Sequence, residues 1–373
     1  MAFKFQNPAD LNSPSLHEAL IAASTGAISG GAAFAFVTRG GVRLYLQDEA
    51  FTAFIQNGTF ELVVGIDEIT NPQSLEALAE VTAVAPNLTV NAFAHNHRDS
   101  IFHPKFCWYK KAVGGTLVVG SGNLTVRGLR NNWEAFSVIE LNEQEIQDVI
   151  DIWNSWKLNC TLFFKPITDN EVATRVQQNR FRRRAASVVN LDEEAAVVNE
   201  DVEGNIDEDP EDTTPWEIQD TQTVLIAEIP AGGNRWNQAN FNQEFFESFF
   251  GGTRWDNSYR ILLREVNDDG DALEVENRQA VSVASHNWRF ELGAAAGLEY
   301  PDTGTGRPTG VFIRVGIRMF LYILVMPDSP YYPEVNELLT GRWNGRADRM
   351  RRILVDVTTL REGCPTLPFW QID

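Results

Sequence analysis

The sequence predicts an α/β domain over residues 1–190, an acidic linker over 191–215 and a mostly β domain over 216–373. Three observations carry this division. Apolar strand-like runs alternate with helix-like stripes through the first part of the chain, the pattern of an α/β domain on a largely parallel sheet. Eleven acids and no base fall between Asp192 and Asp212, a composition that reads as a solvated tether. After Thr221, strand-like runs are joined by turns with only two short helical stretches, which implies a mostly antiparallel barrel. A chain of 373 residues is long enough for each domain to bury its own core.

Taken in order, the chain starts with a polar arm, and Leu16–Ala23 reads as a short helix with Ser15 near its start. Gly26–Gly31 reads as a loop feeding a strand at Ala32–Val37. It is not a Walker loop, because no Gly-Lys-Ser/Thr follows. Phe60–Ile66 reads as a buried strand, Ser74–Ala83 as a helix and Leu88–Phe93 as a strand. Phe102–Tyr109, Thr116–Gly120 and Ala135–Leu141 read as neighbouring strands of a covered sheet. In Asn142–Trp156, Ile146, Val149, Ile150, Ile152 and Trp153 form a helical stripe that packs on the core. A further helix from Asn170 towards Arg184 ends in Arg180, Arg182, Arg183 and Arg184. That cluster suits a helix C-terminus and, equally, a phosphate backbone.

In the second domain Val224–Ile229, Tyr259–Val266, Ala272–Glu276, Ala280–Ala284 and Val311–Met326 read as strands. Asn242–Phe250 and Tyr332–Leu339 read as short helices. No lysine follows Lys165, so with histidine neutral every cation here is an arginine, the residue suited to bidentate contact with guanine. Two segments concentrate groups that read base edges. A loop over 232–240 carries Arg235, Asn237, Gln238 and Asn240. The stretch 285–292 carries His286, Asn287 and Arg289, with Trp288 and Phe290 facing the core and Arg289 outward.

The charge total excludes little. More than half of the formal −20 comes from the linker, and a specific DNA reader needs a local positive face, not a positive total. No run of about eighteen apolar residues is present to span a membrane. The N-terminus lacks a signal-type hydrophobic stretch, so a cytoplasmic location is expected. Cys107, Cys160 and Cys364 are odd in number and widely spaced, which suggests free thiols. His95 and His97 lack a third ligand at a diagnostic spacing, so no metal site is expected there. No lysine has an acid two residues before it, so the Asp/Glu-x-Lys half of the common magnesium endonuclease motif is missing.

The chemistry-bearing residues cluster between Phe102 and Glu134. His103-Pro-Lys105, Gly120-Ser-Gly-Asn123 and Glu134 each lie on or just beyond a strand-like run, so their side chains converge if the strands are neighbours. Cleaving a phosphodiester, an anion, requires a strong nucleophile, donors or cations on the non-bridging oxygens and a proton for the leaving alkoxide. Neutral His103 is a nucleophile of that kind. Lys105, on the same strand face, supplies a point charge. Ser121 and Asn123 supply neutral donors, and Glu134 a carboxylate able to accept the second imidazole N–H.

These residues resemble the phospholipase D superfamily, whose signature is His-x-Lys followed by a Gly-Ser-x-Asn-like turn. His103, Lys105, Ser121 and Asn123 fall on that pattern, but the usual Asp five residues after the lysine is Lys110 here. That departure resembles the nuclease branch, where a later Glu, here Glu134, enters the site. Family members need two motifs per site and this chain shows one, so the resemblance implies a homodimer with one site at its two-fold interface. The Arg-containing loop before a helix, and the Trp-Arg-Phe strand, resemble the B3 DNA-binding domain, a pseudobarrel. Together the parts are similar to restriction endonucleases of the BfiI type and their ATP-dependent NgoAVII and CglI relatives.

That resemblance implies sequence-specific cleavage of double-stranded DNA through a covalent phosphohistidine, with no cofactor needed for the chemistry. ATP would enter only through a separate ATPase or helicase-like subunit, and a cognate DNA methyltransferase would complete a restriction-modification pair. It also implies that the acidic linker occludes the nuclease groove. Two other classes stay open on sequence alone: a DNA-binding regulator with a relict nuclease fold, and a phospholipase D-type phosphodiesterase acting on another substrate.

Overall fold

The computed structural model describes residues 1–97, 100–179, 216–231, 236–252, 259–282, 287–302, 304–346 and 349–372. The expected linker and the arginine cluster at 180–184 lie outside them. The chain divides into two compact units, one of Met1–Pro8 and Ser13–Pro215, the other of Ala9–Asn12 and Trp216–Asp373. The protein is mixed α/β, with three sheets among the described residues.

The first unit is built on eight strands: β1 (Ala2–Gln6), β2 (Ala27–Phe34), β3 (Thr59–Gly65), β4 (Leu88–Phe93), β5 (Lys105–Lys111), β6 (Gly115–Gly120), β7 (Glu134–Leu141) and β8 (Phe164–Pro166). Their order in the sheet is β1-β7-β6-β5-β2-β3-β4-β8. The expected largely parallel sheet is corrected here: only β2–β3 and β3–β4 are parallel, and the other five ladders are antiparallel. Strict alternation of strands and helices stops after β4, where β5, β6 and β7 follow with no α-helix between them. Between β5 and β6 the chain returns by a tight turn in which Gly114 adopts φ 67° and its carbonyl accepts the Lys111 N–H at 3.0 Å. A turn of that length permits only antiparallel neighbours.

Helices cover both faces. On one side lie α1 (Leu16–Ser24), α2 (Arg39–Leu46), α3 (Glu49–Asn57) and α4 (Pro72–Val84). Phe51 and Phe54 of α3 meet Phe60 and Tyr109 edge-on. On the other, α5 (Glu143–Asn159) lays Ile146 and Trp153 over Ala33, Val63, Phe106 and Trp108. The α1 start matches expectation, with Ser15 accepting the Glu18 N–H at 3.2 Å. Of the expected α5 stripe, Ile146, Val149, Ile150 and Trp153 pack on this core, but Ile152 is corrected: it is 70% exposed, because it falls off the i, i+3, i+4, i+7 face that the other four share. Helices α2 and α3 were not expected, although Thr38 and Asp48 cap them. Strand β1 replaces the expected polar arm, pairing with β7.

Gly30 and Gly31, expected in a loop, lie inside β2. A Cβ on Gly31 would stand 2.7 Å from the Trp108 indole, and one on Gly30 2.9 Å from both Phe60 and the Trp108 carbonyl. Glycine is required because large aromatics of both neighbouring strands cross this one. Strand β5 starts at Lys105 instead of Phe102, since Pro104 has no N–H to give a ladder.

The second unit holds β9 (Thr223–Glu228), β10 (Gln238–Asn242), β11 (Arg260–Val266), β12 (Ala272–Gln279), β13 (Val281–Ser282), β14 (Asn287–Glu291), β15 (Thr309–Gly316), β16 (Met319–Val325) and β17 (Arg352–Asp356). They form a three-stranded sheet β10-β14-β13 and a six-stranded sheet β12-β11-β16-β15-β9-β17, antiparallel except for β11–β16. Phe241, Trp288 and Phe290 of the first meet Phe312, Phe320 and Tyr322 of the second in one aromatic core. The run expected as one strand over Val311–Met326 is a hairpin. Its turn residues are Ile317 and a positive-φ Arg318, which carry no Gly or Asn signal. The expected strand Ala280–Ala284 is short, with 283–284 outside the described residues.

The first unit also holds a buried polar cluster. The Arg130 guanidinium, fully buried, reaches His17 Nδ1 from Nε at 3.2 Å and Glu18 Oε1 from Nη1 at 3.3 Å. His17 Nε2 lies 2.9 Å from the Leu44 carbonyl, so this nitrogen carries the proton and Nδ1 accepts. Burial, with the adjacent guanidinium, pushes the His17 pKa from 6.5 down to about 3. Between those values the unfolded chain binds more protons than the folded one, so stability falls as pH drops from 6.5 towards 3. Replacing His17 with Asn should remove up to ~1.4 kcal/mol per pH unit from that slope. Urea unfolding at pH 7 and pH 5 checks it; equal slopes in both proteins would contradict a neutral His17.

Candidate active site

Four strand ends meet at one edge of the first sheet, and the antiparallel register makes them do so. Lys105, the first residue of β5, pairs with Phe34 near the end of β2. Phe106 pairs with Val119 on β6, and Gly120, the last residue of β6, pairs with Phe136 on β7. The end of β2, the start of β5, the end of β6 and the start of β7 therefore lie side by side. His103, Lys105, Ser121, Asn123 and Glu134 all sit at these ends.

Each side chain has a defined setting. His103 is exposed, its ring 5.9 Å edge-on to that of Phe36, and Lys105 Nζ lies 3.0 Å from each of its nitrogens. Asn123 Oδ1 accepts the Phe36 N–H at 3.3 Å, an arrangement that leaves its two amide hydrogens as donors. Ser121 donates to Glu134 Oε2 and accepts the Ala135 N–H at 3.1 Å. Asn132 Nδ2 donates to Glu134 Oε1 at 3.2 Å, and Glu134 is 9 % exposed.

These contacts correct one expected pairing. Within the chain, Glu134 is held by Ser121 and Asn132, and the side chain against the His103 imidazole is Lys105. The physical reason is position: Glu134 opens β7, with β6 between it and the β5 end that carries His103, and Ser121 at the end of β6 is its immediate neighbour. Sequence reasoning missed Phe36 and Asn132. Phe36 acts through its backbone and ring, which no motif reports, and Asn132 lies in a turn without periodicity.

The Lys105 ammonium is half buried, and this desolvation lowers its pKa while the Glu134 carboxylate opposes the shift. His95 and His97 lie beyond β4. His95 Nδ1 accepts the His97 N–H at 3.3 Å, and its Nε2 stands 4.0 Å from Asp67. No group of three or more possible metal-binding side chains occurs among the described residues.

The candidate base-reading residues fall partly as expected. Gln238 and Asn240 are on β10 instead of a loop, whereas Asn287 and Arg289 are on β14, with Trp288 and Phe290 inward and Arg289 outward as the sequence implied. The two strands pair directly, Asn240 opposite Arg289 and Asn242 opposite Asn287. Alternation sends Ala239, Phe241, Trp288 and Phe290 into the core and leaves the polar residues together on the other face. Asn237 precedes β10, its carbonyl accepting the Leu292 N–H at 2.9 Å. Glu291 shares the polar face, opposite Gln238. Arg235 and His286 lie outside the described residues.

No family model matches the chain, and no curated protein does. Partial likeness is found to solved structures. Nuc from Salmonella typhimurium, a phospholipase D family member, is 14% identical over 44% of this chain and 97% of its own, with a TM-score of 0.32. NucT from Helicobacter pylori is 16% identical over 44% and 99%, with a TM-score of 0.31. The N-terminal domain of Helicobacter pylori LlaJI.R1 is 10% identical over 36% and 97%, with a TM-score of 0.26.

Replacing Glu134 with Gln removes the charge that supports the Lys105 ammonium, so Lys105 should titrate at lower pH than in the wild type. NMR titration of the lysine side chains reads this without reference to turnover. A Lys105 titration unmoved or shifted upward would show that the carboxylate does not act on it.

Proposed function

We propose that the protein is a phosphodiesterase of the phospholipase D type that cuts double-stranded DNA through a covalent phosphohistidine. The observation that carries this reading is the convergence of His103, Lys105, Ser121, Asn123 and Glu134 at one sheet edge. In the first step His103 forms a P–N bond while the P–O bond to the leaving alkoxide breaks. Lys105 and the Asn123 amide hydrogens hold the non-bridging oxygens. In the second, water attacks phosphorus, the P–N bond breaks and His103 is released. Because Lys105 supplies the positive charge, this chemistry calls for no metal ion.

The leaving alkoxide needs a proton, and the first step consumes the one imidazole of the motif as nucleophile. A second copy would supply the acid: its imidazolium gives the proton in the first step and recovers it from water in the second. An open apolar surface next to the site favours such a dimer. Phe3 and Val119 flank Ser137 on one sheet face, and Phe3, Phe5 and Trp133 are 68%, 53% and 61% exposed. Exposed aromatics grouped in this way mark association surfaces.

For the second unit we propose sequence-specific DNA binding of the B3 type. The paired polar face of Asn240, Asn242, Asn287 and Arg289 supports it, together with Arg235, Asn237, Gln238 and His286 from the sequence reading. On this reading the protein is a restriction endonuclease, which calls for a cognate DNA methyltransferase, and ATP enters only with a separate ATPase subunit.

Wild-type protein should cut long mixed-sequence DNA into discrete fragments in EDTA, and His103→Ala should lose at least about 10³-fold in rate. Trapped wild-type reactions should carry phosphate on His103. Cleavage abolished by EDTA, or retained by His103→Ala, would overturn the mechanism. Sequence-specific binding without turnover would favour the relict-regulator reading.

A further inference from the structure

The turn before β7 is anchored by a set of buried hydrogen bonds. Residues 127–131 make a π-helical turn in which Arg130 is fully buried on His17 and Glu18. Ser15 Oγ holds the other oxygen of Glu18 at 2.8 Å. Gln6 ties the same segment from β1: its Nε2 donates to the Gly128 carbonyl at 3.3 Å and to the Asn132 carbonyl at 2.9 Å. Its Oε1 accepts the Leu16 N–H at 2.8 Å. The backbone of Asn132 is thus fixed to both β1 and the start of α1.

What this anchoring presents to the site is the Asn132 side chain. Its amide donates to Glu134 Oε1, while Oε2 receives the Ser121 hydroxyl. The terminal torsion of a glutamate is broad, so a carboxylate held at one oxygen alone can turn away. With one donor on each oxygen that rotation is closed.

We propose that Asn132 is a positioning residue of the reaction: it clamps Glu134 so that the carboxylate stays aimed at Ser121 and beside Lys105, and the buried Arg130 cluster holds the turn that delivers it. This rests on the phosphodiesterase reading for its catalytic consequence, and on hydrogen bonds alone for its geometry. Groups that orient the ligands of metal sites by the same kind of hydrogen bond change activity by about 10–100-fold, and that is the size expected here.

Two substitutions separate the clamp from mere packing. Asn132→Asp keeps the shape, removes the donor and sets a second carboxylate beside Glu134; Asn132→Ala removes the shape as well. A clamp makes N132D the worse variant, with kcat on DNA and on bis(p-nitrophenyl) phosphate lowered about 10–100-fold, KM changed by less than about threefold and Tm near that of the wild type. A packing role makes N132D resemble the wild type and N132A the weaker, and that order would overturn the proposal. A crystal structure of N132D tests the geometry without turnover. Glu134 should leave Ser121, and a retained Ser121–Glu134 bond would also overturn it. A wild type that turns over no phosphodiester, with Glu134 displaced in N132D, would instead count against the phosphodiesterase reading while the clamp stands.

Discussion

The antiparallel register of β5, β6 and β7 is the constraint on which the rest of the first unit depends. Antiparallel neighbours alternate direction, so the start of one strand lies beside the end of the next. This places Lys105, Ser121 and Glu134 on one edge although nearly thirty residues separate the first from the last. The parallel ladder from β2 to β3 then supplies the back of the sheet, and Phe36, just beyond β2, meets His103 and Asn123. A one-residue slip in any of these ladders would turn the side chains to the opposite face.

Holding such an edge open to solvent needs rigid support from below. Much of it comes from an unusual source, a buried arginine with a neutral histidine and a glutamate as partners. Burying charge is costly unless hydrogen bonds satisfy it, and here Arg130, His17, Glu18 and Ser15 satisfy one another. The cluster joins α1 to the turn before β7, so the helix on one face of the sheet and the polar edge of that sheet are coupled through it. Hydrogen bonds of Gln6 to two carbonyls of the same turn add β1 to this support.

The second unit solves a different problem with the same rule of alternation. Strands β10 and β14 bury four apolar side chains against a phenylalanine-rich core and leave asparagines and an arginine aligned on the far side. Arg352 braces this ribbon, donating to the Asn240 carbonyl at 2.8 Å and to Asn242 Oδ1 at 3.0 Å, with its guanidinium 5.2 Å from the Phe241 ring centre.

Much of this was legible in the chain. Strands at Leu88–Phe93 and Ala135–Leu141, the α5 stripe and the helix after Ser15 follow from local periodicity and capping, which act over a few residues. The order His103, Lys105, Ser121, Asn123, Glu134, with strand-like runs between, was enough to place a polar cluster at strand ends. Other features depend on contacts distant in sequence. Gly30 and Gly31 look like a loop until Trp108 and Phe60 are laid across them, and Ile317-Arg318 gives no turn signal until β15 and β16 pair. The sequence by itself determined which side chains gather at the edge, because strand period and turn position are local. Only the tertiary structure decided that Glu134 pairs with Ser121 and Asn132, because strand order and the buried Arg130 anchor are set by long-range packing.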